Sequence, residues 1–107
     1  MRSGEDYRVT VRRGAKAVRP TLVTHVMLPA GSEARATTVG LVVSRSVGSS
    51  VDRNRVKRRL RHLMRTRLAD VPAGSRIVIR ALPSAKGASS AALGRDLDQA
   101  LRRSGAR

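Results

Sequence analysis

The sequence predicts a small α+β domain, in which helices pack on a short sheet, with elements in the order α-β-β-α-β-α. Segments rich in β-branched residues are separated by turn signals, and other segments have the periodicity of amphipathic helices. The chain has 107 residues with no repeat and no long linker, so we expect one domain over residues 1–107. Because it has no Phe or Trp and one Tyr, its core must consist of aliphatic side chains and Met.

The first half of the chain predicts one helix and two strands. Residues 5–13 suit a short helix, and Gly14 is a stop signal after it. Tyr7 and Val11 are four residues apart, so their side chains share a face of this helix. The two strands are rich in β-branched residues and flank a loop at 29–36; they cover 20–28 and 37–45.

The second half of the chain predicts a basic helix, a strand and a final helix. Residues 46–50 turn the chain before the basic helix, and residues 71–75 end it. Residues 76–82 alternate Arg with apolar residues, which indicates a strand with one buried face. The final helix, residues 90–103, carries its apolar residues at helical spacing: Leu93, Leu97, Ala100 and Leu101.

The charge of the chain predicts a polyanionic partner. Lys and Arg number 23 against seven Asp and Glu, which gives a formal net charge of +16. Solubility does not require so large a charge, and the repulsion within it destabilises a compact fold. RNA, DNA or an anionic membrane would turn the same charge favourable. The membrane is disfavoured, because the chain has no Trp or Phe to insert at a lipid interface.

The apolar segments and the absence of Cys indicate where the protein works. No apolar run is long enough to span a membrane, and none after Met1 resembles a signal peptide. The lack of Cys excludes disulfides and zinc–thiolate sites. We therefore expect a soluble, cytoplasmic protein.

The basic helix has two opposite faces. Ser49 is suited to cap its N-terminus, with Asp52 completing a capping box and lying at the positive end of the helix dipole. At about 100° per residue, apolar residues fall in one sector of the helix and polar residues in the opposite sector. The apolar sector contains Val56, Leu60, Leu63, Met64 and Leu68, and the opposite sector contains Asn54, Arg58, Arg61 and Arg65.

A bound polyanion explains these basic residues better than a solvated surface does. From Arg53 to Arg67 the helix has eight Lys or Arg and no acid. Solvated helices usually alternate acids with bases, which stabilises them by about 0.2–0.5 kcal/mol per pair. Here the pairs one turn apart, such as Arg61 and Arg65, are both basic, so the helix carries about 1–3 kcal/mol of unrelieved repulsion.

The residues of this region resemble the protein subunit of bacterial ribonuclease P. That family has a strand ending in V-S-[KR]-[KR]-[VI]-G, a turn, and then R-N-R-x-K-R-x-[LI]-R at the start of a helix. This sequence has VVSRSVG at 42–48 and RNRVKRRLR at 53–61. Residues 5–14 and 77–85 are similar to the family's first helix and fourth strand, so the resemblance covers nearly the whole chain.

The resemblance implies the order α-β-β-β-α-β-α, which has one strand more than the residues alone predict. The additional strand would come from AKAVRP, residues 15–20, or from a division of residues 16–28. The resemblance also implies a left-handed β-α-β crossover through the basic helix, which is an exception to the right-handed rule.

The resemblance further implies a function. Proteins of this family bind a large catalytic RNA and assist it in cutting the 5′ leader from precursor tRNA. The expected partners are therefore ribonuclease P RNA and precursor tRNA, with no membrane. The basic helix is expected to bind the catalytic RNA, and a cleft between the sheet and the first two helices is expected to hold the leader. We expect the protein itself to be a monomer.

The resemblance assigns residues to both RNA contacts, and the helical geometry adds Arg65. Tyr7 stands where the family has an aromatic residue, on which a leader base would stack; the other interpretation is a core residue with its hydroxyl at the edge. The expected leader-binding cleft contains Tyr7, Val11, Ser44 and Arg45. The expected contacts to the catalytic RNA are Arg53, Asn54, Arg55, Lys57, Arg58, Arg61 and Arg65.

The sequence departs from the family at three positions. Val11 replaces a second aromatic residue, which would weaken the stacking surface of the cleft. Ser46 replaces a second basic residue, and Asp52 places a negative charge near the expected RNA contact. None of these departures changes the R-N-R segment.

The sequence contains no group suited to cutting a phosphodiester bond. It lacks a carboxylate cluster for two metal ions, a His pair and a glycine-rich phosphate loop. Asp96 and Asp98 are expected to be surface charges, His25 a packed or half-exposed strand residue, and His62 a residue of the basic face. We therefore expect no catalytic residue and no metal site in this endoribonuclease subunit, with Mg²⁺ bound mainly by the RNA.

Two other functions stay open at this point. A small ribosomal protein, or another protein that binds a structural RNA, would share the charge and the length without a role in processing. A DNA-binding protein with a basic helix would need a second helix or a dimerising heptad, whereas residues 76–82 predict a strand.

Overall fold

The structure, a computed structural model, describes residues 4–29 and 36–106. Residues 30–35 of the predicted loop therefore lie outside the described residues. The helices and strands are α1 Gly4–Arg13, β1 Ala15–Val18, β2 Leu22–Met27, β3 Thr38–Val42, α2 Ser50–Arg67, β4 Arg76–Ala81 and α3 Ser90–Arg103. Short 3₁₀ turns lie at Arg45–Val47, Leu68–Asp70 and Pro83–Ala85.

The strands form one mixed sheet in the order β1-β2-β4-β3. β2 is antiparallel to β1 and β4, whereas β3 and β4 are parallel. β1 is the additional strand that the resemblance implied, and it forms from AKAV at residues 15–18. The small α+β class and the order α-β-β-β-α-β-α are therefore confirmed. α2 connects the parallel strands β3 and β4; the left hand of this crossover stays a prediction.

One face of the sheet packs against α2 and α3 and forms the hydrophobic core. β2 contributes Leu22 and Val26 to it, and β4 contributes Ile77 and Ile79. The predicted apolar face of α3 is confirmed, because all its members are buried in this core: Leu93, Leu97, Ala100 and Leu101. The core is aliphatic, as the composition requires.

α1 covers the opposite face of the sheet. Val23 and His25 alternate along β2 with the core residues, and His25 is paired with Val78 of β4. All three are buried outside the core cluster, because α1 packs against β2 and β4. The prediction that β4 has one buried face was therefore wrong: β4 is an interior strand, and Val78 is as buried as its neighbours Ile77 and Ile79.

Gly14 allows α1 to lie close to the sheet. Its amide donates to the Thr10 carbonyl oxygen at 2.8 Å, so the helix ends at the predicted stop. A Cβ at residue 14 would lie only 3.0 Å from the carbonyl oxygen of Val26. The missing side chain therefore permits the close approach of α1 and β2.

α2 begins with the predicted capping box. Ser49 Oγ accepts a hydrogen bond from the Asp52 amide at 3.2 Å, and the Ser49 amide donates to Asp52 Oδ2 at 3.1 Å. Gly48 precedes the cap with a φ of 152°, a conformation that favours glycine, and fixes the turn into the helix. The start of α2 is thus determined by residues within the turn itself.

The apolar sector of α2 is confirmed except at its end. Val56, Leu60 and Met64 are buried, and Leu63 packs against them partly buried. Leu68 was wrongly placed in this sector, because it is 39% exposed. The α-helix ends one residue earlier, and the 3₁₀ turn that follows changes the direction of the Leu68 side chain.

Asp96 of α3 anchors the turn before β2. It is 8% exposed, and its Oδ2 accepts hydrogen bonds from the Thr21 amide at 3.0 Å and the Thr21 hydroxyl at 2.6 Å. The Thr21 carbonyl oxygen accepts in turn from the Leu82 amide at 2.9 Å. The prediction that Asp96 is a surface charge was therefore wrong.

Candidate nucleic-acid interface

The polar face of α2 forms a ridge of exposed side chains opposite the core. This α2 ridge consists of Asn54, Arg58, Arg61 and Arg65. In the described part of the chain, no hydrogen bond or ion pair involves these four side chains. The guanidinium groups of its three arginines are therefore available to phosphate oxygens, which Arg binds in bidentate geometry. The predicted ridge is exposed as expected, and its contact with RNA stays a prediction.

Three other predicted RNA contacts lie beside the ridge. Arg55 is exposed, whereas Arg53 and Lys57 are half-buried. Arg53 donates to Ser50 Oγ at 3.1 Å, and its Nε is buried with no hydrogen-bond partner among residues 4–29 and 36–106. Arg55 is therefore as accessible as the α2 ridge, whereas Arg53 and Lys57 are only partly accessible.

Two basic residues of α2 are bound within the protein instead. Arg67 Nε donates to Asp98 Oδ1 at 2.7 Å and a terminal nitrogen donates to Asp98 Oδ2 at 3.2 Å. Arg59 donates to the Ala88 carbonyl oxygen at 2.9 Å. These contacts fix α2 against α3 and the loop before it, so part of the basic run is structural. Asp98 was predicted to be a surface charge, and its pairing with Arg67 corrects that prediction.

The Asp52 carboxylate is engaged by Ser49 at the start of α2. Hydrogen bonds from the side chain and then the backbone of Ser49 lower the pKa of Asp52, and the Lys86 ammonium acts in the same direction. Lys86 Nζ lies 3.5 Å from Asp52 Oδ2. The negative charge that departs from the family pattern is thus partly neutralised within the protein.

The leader-binding prediction places two residues on α1. Tyr7 and Val11 are both half-buried on one face of α1, and Thr10, on the same side of the helix as the sheet, is fully buried. They therefore lie at the border of the contact between α1 and the sheet, where a ring is partly accessible. The cleft was expected between the sheet and the first two helices, but α2 packs on the opposite face of the sheet from α1. A leader on this face would contact α1 and the sheet.

The other two predicted leader contacts follow the edge strand β3. Ser44 and Arg45 are exposed at its carboxyl end. The hydroxyls of Ser44 and Ser46 lie 2.7 Å apart and share a hydrogen bond. Ser46, which replaces a basic residue of the family pattern, thus fixes the turn and leaves Arg45 as the cation of this segment.

The sheet register assembles basic residues that the sequence did not reveal. Lys16 of β1 is paired with His25, and Arg80 of β4 lies on the same face of the sheet. Burial lowers the pKa of His25, and the charges of Lys16 and Arg80 lower it further. His25 Nδ1 is buried without a hydrogen-bond partner in the described part of the chain. The face covered by α1 therefore places two cations around a buried histidine.

The described residues include neither a cluster suited to a metal ion nor a helix suited to a membrane. Among residues 4–29 and 36–106 there is no group of three His, Cys, Asp or Glu side chains that could hold a metal ion. No helix within the same ranges is long and apolar enough to cross a membrane. His62 is exposed on α2, as predicted for a residue of the basic face.

Comparisons with known proteins agree on one family. The family model described as Ribonuclease P matches residues 1–105. The ribonuclease P protein component of Streptomyces avermitilis is 51% identical over 109 residues, which cover 96% of this chain and 89% of the relative. That of a Nocardioides species is 47% identical over 106 residues, covering 99% and 91%. The solved structure of the Staphylococcus aureus RNase P protein has a TM-score of 0.85 at 20% identity, over 99% of this chain and 94% of that one, and so shares the fold.

Proposed function

Because this chain belongs to the ribonuclease P protein family, we propose that it is the protein subunit of the endoribonuclease that removes the 5′ leader from precursor tRNA. Its direct partners are ribonuclease P RNA and precursor tRNA. The observation that carries the proposal is the α2 ridge, whose arginines have no partner within the described residues. In this proposal the enzyme acts in the cytoplasm, and its protein subunit is a monomer.

The α2 ridge is the surface proposed to bind ribonuclease P RNA. A net charge of +16 attracts RNA over long distances, and the exposed arginines of the ridge provide the short-range contacts to phosphates. Arg53 and Lys57 would add contacts at its border, whereas Arg59 and Arg67 would not, because both are engaged with α3 or the loop before it. The net charge and the exposure of these arginines thus both support the α2 ridge as the surface that binds the RNA.

The face of the sheet beside α1 is the surface proposed to hold the leader. The exposed part of the Tyr7 ring would stack on a base. Lys16, Arg45 and Arg80 are exposed cations suited to phosphates of a single strand. Val11 offers apolar contact without stacking, so Tyr7 carries most of the base contact. Two RNA strands would then occupy different sides of the molecule.

In this proposal the RNA subunit performs the chemistry and holds the Mg²⁺ ions. The described side chains include no cluster that would position two metal ions. The relatives are named as the protein component of ribonuclease P, which fits a subunit that assists an RNA. The contribution of the protein is electrostatic: it reduces the repulsion between two polyanions and positions the substrate. A purely structural role on ribosomal RNA is not favoured by the comparisons.

Replacing Tyr7 with Ala is expected to weaken binding of precursor tRNA by about 1–3 kcal/mol, because one stacked base is lost. The affinity of the reconstituted complex is measured for precursor tRNA and for mature tRNA, which has no leader. The loss is expected for the precursor alone. Tyr7→Phe retains the ring and is the matched control, so it should bind both RNAs like the unmodified protein.

Equal losses for the precursor and the mature tRNA would show that Tyr7 supports the fold or the catalytic RNA, not the leader. Failure of Tyr7→Phe to bind would contradict stacking as the source of the affinity, since this variant lacks only the hydroxyl. Thermal unfolding of both variants separates a loss of binding from a loss of structure, because a core role for Tyr7 would lower the Tm of Tyr7→Ala.

A further inference from the structure

A groove of about 530 Å³ lies between α2 and α3. Its walls include His62, Leu63 and Arg67 of α2 and a face of α3 that extends from Ser90 to Arg102. Sites for small ligands of this size are mostly apolar with few polar groups. This groove instead carries three arginines, Arg67, Arg95 and Arg102, so its chemistry does not suit an apolar ligand.

Among the described residues, the charge of the groove is not balanced. Asp98 is the one acidic residue among the described residues that line the groove, and both of its oxygens accept hydrogen bonds from Arg67. Arg95 and Arg102 are exposed, and no hydrogen bond or ion pair of either side chain occurs within the described residues. Two guanidinium groups, seven residues apart and thus on one face of α3, are therefore left for a partner of negative charge.

Gly94 keeps the groove open. A Cβ at residue 94 would come within 3.0 Å of a terminal nitrogen of Arg67 and 3.3 Å of Leu63 Cδ2. With glycine there, the Arg67 side chain lies across α3 and pairs with Asp98. Arg67 and Asp98 thus neutralise each other in the groove, whereas Arg95 and Arg102 have no partner among the described residues.

The groove adjoins the α2 ridge. His62 lines it, and His62 lies four residues after Arg58, which places the two side chains about 40° apart around the helix. From Ser90 to Arg102 the wall of α3 is about 18 Å long at 1.5 Å per residue. That length matches about five nucleotides of a stacked strand, at about 3.4 Å each.

We propose that the groove between α2 and α3 is a second contact surface for ribonuclease P RNA, with Arg95 and Arg102 binding its sugar–phosphate backbone. This inference rests on the proposed function, because it extends the surface of the same partner from the α2 ridge across to α3. The contacts are to phosphates, so they contribute affinity and orientation without sequence preference.

The test is the salt dependence of ribonuclease P RNA binding. Arg95→Ala with Arg102→Ala is expected to reduce the slope of log affinity against log salt by roughly 1.4–1.8, for two lost phosphate contacts. Arg103→Ala is the matched control, because Arg103 is an exposed neighbour outside the groove and should leave the slope unchanged. The double substitution to Lys keeps both charges and should retain most of the slope.

An unchanged slope for the Arg95/Arg102 double variant would overturn the inference, and so would an equal change for Arg103→Ala. A second variant, Arg55→Ala with Arg58→Ala, changes exposed arginines of α2. If it weakens RNA binding while the groove variant does not, the proposed function stands and the second surface is wrong. If the unmodified protein does not bind ribonuclease P RNA in preference to ribosomal RNA, both proposals fail together. A groove variant that changes self-association in sedimentation, but not RNA binding, would identify a contact between copies of the chain instead.

Discussion

Replacing Arg55 and Arg58 with Ala is expected to weaken binding of ribonuclease P RNA, most strongly at low salt. Both side chains are exposed on α2, and neither has a partner within the described residues. If each binds one phosphate, the slope of log affinity against log salt falls by roughly 1.4–1.8. The measurement is a salt titration of binding at equilibrium. Arg12→Ala with Arg13→Ala removes the same charge from exposed positions on α1 and is the control.

The same Arg55/Arg58 variant is expected to be as stable as the unmodified protein or slightly more stable. Both arginines have basic neighbours three or four residues away, and relief of each such pair is worth about 0.2–0.5 kcal/mol. The free energy of unfolding, measured with urea, checks this expectation. A variant that unfolds would show that these residues are structural, and an equal loss of RNA binding in the Arg12/Arg13 control would show that only total charge matters.

Replacing Asp96 with Ala is expected to destabilise the protein by roughly 2–4 kcal/mol, because it leaves the buried Thr21 amide and hydroxyl without their acceptor. Asp96 is 8% exposed, and the two hydrogen bonds measure 3.0 and 2.6 Å. A small domain is stable by only about 5–15 kcal/mol, so the effect is a large fraction of the total. Urea denaturation measures it directly.

Two further variants test the origin of that loss. Thr21→Val removes only the hydroxyl donor and is expected to cost about 1–2 kcal/mol, less than Asp96→Ala. Asp98→Ala removes the half-exposed partner of Arg67 and is expected to cost about 1 kcal/mol or less. If Asp96→Ala changes stability no more than Asp98→Ala does, the bond between α3 and the β1–β2 turn does not stabilise the fold. RNA binding of the folded Asp96→Ala protein should stay normal, since the substitution changes neither the α2 ridge nor Arg95 and Arg102, and Asp96 is buried.

Elements with local signals were predictable from the sequence. The Ser49–Asp52 capping box lies within one turn, and the apolar sector of α2 follows from helical periodicity alone. α3 begins and ends at the predicted residues 90 and 103. Exposure of the α2 ridge followed from the same geometry, because the charged face of an amphipathic helix lies opposite its buried sector.

Features that depend on distant pairing were not predictable in the same way. β1 is a four-residue edge strand whose burial pattern shows one buried residue, Ala17, so its alternation gives little signal. Asp96 and Thr21 are 75 residues apart, and no local pattern links them. The basic residues around His25 come together only through the register of β1, β2 and β4. For the same reason, the sequence could not show which arginines of α2 are exposed and which are bound internally. That division depends on where α3 and the loop before it lie.

The central claim is that this chain assists ribonuclease P RNA in cutting precursor tRNA, and one reconstitution tests it most directly. Precursor tRNA is mixed with bacterial ribonuclease P RNA at low magnesium, and release of the 5′ leader is followed with and without the protein. We expect strong stimulation by the unmodified protein, much less by the Arg55/Arg58 variant, and recovery of cleavage by the RNA alone at high magnesium, where Mg²⁺ replaces the protein's charge. An unchanged cleavage rate at low magnesium with the protein bound would contradict the account.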